Sequence, residues 1–182
     1  MVLTDAHLRL FNKVIFVFAS LTGLTAGILA IALPPKDWVL IIAMLASFAF
    51  FATFLTVELV RSPVPSRTLM TALTFFAAGA FGTFLSALDT YLLDPTLPYT
   101  GFLQLSVASS ALLCASGLLL LLEIFLHRPP PIVTTTLFFI SLSVMALLAA
   151  SVLAFKGKSL AGRITNLVAF SFLLVASLFN LM

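Results

Sequence analysis

The chain has 182 residues, 62% of them hydrophobic and only 8% charged, with a mean hydropathy of +1.25, whereas soluble domains carry about 25% charged residues. No water-soluble fold covers that much apolar surface, and the apolar runs have the length of about 20 residues that spans a bilayer. Nine Lys and Arg against six Asp and Glu lie scattered between those runs; nucleic-acid binding needs basic clusters, so no nucleic-acid partner is expected.

Prolines segment the chain, because proline inside a helix removes a hydrogen bond and clashes with the preceding turn. The first apolar run covers 14–33 and follows Arg9 and Lys13. It ends in Ala30-Ile31-Ala32, which resembles a signal-peptide cleavage site, but it exceeds the about 7–15 residues of a signal h-region. A retained first helix is expected. Ala19, Gly23 and Gly27 repeat a four-residue step along it, a small-residue face of the kind that lets membrane helices approach closely.

Pro34 and Pro35 close this run, and the second covers 38–60, from Trp38 past Glu58 towards Arg61. Pro63 and Pro65 precede the third, 68–93, whose small-residue face is read as Ala78, Gly82 and Ser86. Asp89 ends that face. A carboxylate at the middle of a membrane helix costs about 2.5–3.5 kcal/mol, which favours a register leaving Asp89 at the membrane border. There it is read as a water-facing border residue; the sharper alternative pairs it with Lys36, Lys156 or Lys158, as intramembrane acids generally find partners.

Pro95 and Pro98 lead to the fourth run, 102–126, which contains the sole cysteine, Cys114. One cysteine makes neither an intramolecular disulfide nor a multi-cysteine metal site. Glu123 and His127 close the run at i,i+4 spacing, that of neighbours on a helix surface. With Glu58 they read as interfacial charge sites, solvated or snorkelling at helix ends. After Pro129 to Pro131 the fifth run, 132–155, carries Ala146, Ala150 and Ala154, a third four-residue step. Lys156-Gly157-Lys158 through Gly162-Arg163 separate it from the sixth, 164–182.

The expected fold is therefore all-α: a single transmembrane domain over 1–182, an integral membrane bundle of about six helices with short loops. Arg9, Lys13, Arg61, Arg67 and Arg128 fall on one side, against Lys36, Lys156, Lys158 and Arg163 on the other. This weak positive-inside bias places both termini in the cytoplasm. Trp38, Tyr91 and Tyr99 then share the outer interface, where aromatic belts form. The phenylalanine-rich stretches and Leu118 to Leu122 suit lipid contact.

Chemistry is sparse. The two histidines, His7 and His127, sit at a terminus and a helix end, so no metal or cofactor is expected. Hydroxyls within the runs lack a base at their own depth to activate them. The leading expectation is a non-enzymatic accessory subunit or membrane-organising component, acting through helix contacts with lipid, a membrane-protein partner or a second copy. The alternative is a small transporter or channel for a neutral or lipophilic molecule, its path lined by Thr134 to Thr136, Ser106, Ser110 and Asn166. An interfacial lipid-modifying enzyme using Glu123 and His127 ranks third.

Overall fold

In a computed structural model, which describes residues 5–33, 38–61, 66–92, 100–156 and 158–182, six helices account for almost every described residue. They are α1 (Asp5–Ala32), α2 (Trp38–Arg61), α3 (Arg67–Leu92), α4 (Thr100–His127), α5 (Pro131–Phe155) and α6 (Ser159–Leu181). All six are long and apolar enough to cross a membrane. This is an all-α, multi-pass membrane bundle.

The breaks fall where proline or the lysine-glycine segment stops the backbone ladder. Two helices begin earlier than hydropathy alone suggests. α1 starts at Asp5, nine residues before the apolar run, because nothing between Asp5 and Lys13 breaks a helix and each added residue gains a hydrogen bond. α6 starts at Ser159 and carries Gly162 and Arg163 in its first turns. α4 ends at His127 and is followed by Arg128, whose φ of 42° is left-handed, with Pro129 next in the chain.

The helices form a ring in chain order. α1 packs on α2 and α6, α4 on α3 and α5, and α5 on α6; α2 and α3 meet too, but far more sparsely than the other neighbours. Adjacent helices run antiparallel. The starts of α1 and α3 lie beside the ends of α2 and α4, through the Asn12–Glu58 and Ser66–Glu123 hydrogen bonds. Lys13 Nζ donates to the Leu181 carbonyl. The end shared by the start of α1 and the end of α6 is called proximal here, and the opposite end distal.

Small residues set the tight seams. Ala19 and Gly23 are buried, and a Cβ at Gly23 would overlap the Phe170 ring and press on Ser47 Oγ. A Cβ at Gly27 would meet Leu167 at 3.1 Å. In α3 the expected face is displaced. Ala78 is exposed, and the close approach to α4 is made by Gly79 and Gly82: a Cβ on Gly79 would lie 2.9 Å from the Ser109 carbonyl, and one on Gly82 would overlap Ser109 Oγ. Ser86 is half-buried, as is Ala146, while Ala150 is buried. The side chain of Ala154 lies outside the described residues.

Lipid offers no water to drive helices together, so packing and hydrogen bonds hold them. Three buried serines bond across seams: Ser20 Oγ to the Leu173 carbonyl at 3.2 Å, Ser47 Oγ to Ala19 at 3.2 Å and Ser116 Oγ to Ala72 at 2.8 Å. Most other hydroxyls donate to the carbonyl four residues back, as Thr53, Thr71 and Thr165 do. That satisfies them without water.

Candidate functional site

A cavity of about 390 Å³ lies mainly among α1, α2, α3 and α6, with Leu113 of α4 and Leu147 of α5 also lining it, in the distal half and the middle of the bundle. Its volume is in the range of about 300–1,000 Å³ typical of small-molecule sites. It arises because α2 and α3 stand apart while α1, α4, α5 and α6 pack closely. Residues small enough to leave space face it, including Ala26, Gly27 and Ala30 of α1, Ala52 of α2, and Ala77 and Ala80 of α3.

Aromatic rings frame the α2–α3 seam. Phe48 stacks on Phe84 with centroids 4.5 Å apart, and lies 5.6 Å from Phe81. Deeper, Phe51 meets Phe76 at 6.2 Å. Thr56 lines the cavity and is exposed. The cavity is partly open rather than sealed, and this sparse seam borders it.

Towards the proximal end Phe51, Leu55, Phe76 and Leu173 form a floor, shared with a second void of only about 20 Å³. Below it Phe16 stacks on Phe54 at 4.4 Å and abuts Phe51 at 6.1 Å. Phe16 and Leu173 are each 1% exposed. The floor is a packed plug.

Among the described residues the lining has few polar groups and no charged side chain. Ser47 donates to Ala19, Thr56 to Ala52 at 2.7 Å, and Thr83 to Gly79 at 2.8 Å. Asn166 differs: it lines the cavity and its side-chain amide makes no hydrogen bond among the described residues. One turn nearer the distal end, Arg163 Nη1 donates to the Ala30 carbonyl at 2.9 Å. Its Nε and Nη2 make no bond among the described residues.

Of the path residues expected from sequence, only Asn166 lines this cavity. Thr134, Thr135 and Thr136 turn back onto the carbonyls of Pro129, Pro131 and Ile132 at the start of α5. Ser110 is buried on α4, and the side chain of Ser106 lies outside the described residues. Hydroxyl composition gave no warning that these groups would be satisfied by their own helix. The real lining is marked instead by alanines facing one another across a sparse seam, a pattern visible only once the helices are assembled.

The interfacial charges form a separate proximal cluster. Glu123 is buried rather than solvated: its Oε2 accepts from Ser66 Oγ at 2.7 Å and lies 3.2 Å from His127 Nδ1. Ser66 Oγ in turn accepts the Leu69 amide at 3.0 Å, capping α3. A hydrolytic triad places the imidazole between hydroxyl and acid; here the acid is in the middle. Among the described residues no imidazole contacts Ser66, and the Ser66–Glu123 bond ties α3 to α4. Glu58 accepts from Asn12 Nδ2 at 2.7 Å, tying α2 to α1.

Asp89 lies in the last turn of α3, but its side chain, and all of Lys36, are outside the described residues, as are the side chain of Tyr91 and all of Tyr99. Trp38 starts α2 at the distal end, 72% exposed. Cys114 is half-buried within α4. No protein-family model, curated protein or solved structure matches this chain.

Proposed function

We propose that this protein is a small membrane carrier for a lipophilic molecule, which enters from the surrounding lipid between α2 and α3. The carrying observation is the cavity of about 390 Å³, walled mostly by apolar side chains, partly open, and bordered by the sparsest seam of the ring. A ligand already dissolved in the bilayer needs a lateral entrance and an apolar wall, not an aqueous mouth. The proximal plug makes the cavity one-sided, the form a carrier takes in one of its states.

The reading as an accessory subunit drew on small-residue faces together with absent catalytic sets and absent extramembrane domains. Gly23, Gly27 and Gly82 are covered by other helices of the same chain, whereas Ala78 is exposed, so the cavity is the stronger lead. A non-enzymatic role remains part of the proposal. The proximal end, with Arg9, Lys13, Arg67 and Arg128, is the cytoplasmic one on the positive-inside tendency.

The test is native mass spectrometry of the protein drawn from its own membrane in a polymer that retains lipids. Wild type should carry a stoichiometric small-molecule adduct, and Ala80→Phe, which puts a ring into the cavity, should lose it without a change in thermal stability. Uptake of the released molecule into vesicles should then depend on wild-type protein and fail with the variant. A wild type free of any adduct would overturn the proposal.

A further inference from the structure

We infer that the carried molecule is a single-chain amphiphile with an anionic head, a long-chain carboxylate, its head held by Arg163 and Asn166 at the distal end and its chain lying towards Phe51 and Phe76. This deepens the carrier reading and rests on it. The cavity's deep wall is aromatic and aliphatic; among the described residues Asn166 is the one polar lining side chain with no hydrogen bond, and Arg163, outside the lining, precedes it by three residues on α6.

The donors there suit a carboxylate. Asn166 offers two N–H groups from its amide, and Arg163 retains Nε and Nη2, the edge of the guanidinium left when Nη1 bonds Ala30. Arginine presents paired donors that match the two oxygens of a carboxylate, and such charge-assisted bonds are about twice as strong as neutral ones. The bond to the carbonyl of Ala30, itself a cavity-lining residue, keeps the guanidinium next to the distal part of the lining. Arg163 lies in the first turns of α6, near the membrane border, so an ion pair formed there avoids the cost of charge at the bilayer centre. Among the described residues no acidic side chain lines the cavity to repel such a head.

The experiment uses full-length protein in nanodiscs and two photoreactive probes, palmitate and hexadecanol, each with a diazirine near the chain end. Cross-linked peptides are mapped and counted. Palmitate should label α2 and α3 around Phe51 and Phe76, and Arg163→Gln should reduce that labelling about tenfold, the size of a lost charged hydrogen bond. Asn166→Asp, which leaves Arg163 and its bond to Ala30 intact, should reduce it at least as far. Hexadecanol labelling should persist in both variants, which shows that they fold. If acid and alcohol label equally and neither variant separates them, the anionic-head inference fails while the cavity stands. If neither probe reaches Phe51 or Phe76 in wild type, the carrier reading fails with it.

Discussion

Gly79 and Ala78 are neighbours in sequence and opposites in consequence. A methyl on Gly79 would be forced against the Ser109 carbonyl, which is backbone and cannot swing away, so Gly79→Ala is expected to lower stability by about 1–3 kcal/mol. Ala78→Val, on the exposed side, should be close to neutral; thermal unfolding of both in one detergent checks the contrast. Ser66→Ala removes the α3 cap and one bond to Glu123, a loss of about 1–2 kcal/mol on cap energetics. Melting temperature is again the readout, and an unchanged value would show that the cap is dispensable. The small-residue spacing was legible as a helix-packing signal. Which glycine faced α4 was not: a four-residue step from Ala78 drifts off a face that turns every 3.6 residues, whereas Gly79, Gly82 and Ser86 at i, i+3 and i+7 keep to it. Burial of Glu123 was illegible for a related reason, since its hydroxyl partner comes from another helix.

Between elements, the α2–α3 seam is held by rings more than by interlocked backbones. Phe48→Ala removes the stack on Phe84, about 0.5–1.5 kcal/mol beyond burial, and widens the side entrance. Release of a bound lipophile should therefore quicken while the melting temperature falls only slightly; stopped-flow release from preloaded protein measures it. Phe16→Ala, in the plug, should behave oppositely, costing about 3–5 kcal/mol of stability. Hydropathy found all six elements because proline and lysine-glycine breaks punctuate them sharply. It could not sort their phenylalanines, since lipid and protein core are equally apolar. Phe11, Phe18 and Phe125 do face outward, but Phe16, Phe51 and Phe76, expected among the lipid-facing rings, build the plug and cavity floor.

At the scale of the molecule, both ends of the ring differ in chemistry, and the proposed orientation assigns the proximal one to the cytoplasm. With Cys114→Ala as background, a membrane-impermeant maleimide should label Lys156→Cys in intact cells and Lys13→Cys only after lysis. The reverse pattern would invert the assignment. The ring also has a temporal side. α1 is translated first, yet one of its two close partners is α6, reached through Ser20 to Leu173 and Arg163 to Ala30. Until α6 emerges, Gly23, Gly27 and Ser20 have no cover on that flank, and the nascent first hairpin presents to the insertion machinery the small, polar face that quality-control proteases and chaperones recognise. A chain stopped before α6 should thus be cleared rapidly, and a pulse-chase of that truncation would record the ring's closure as a change in half-life.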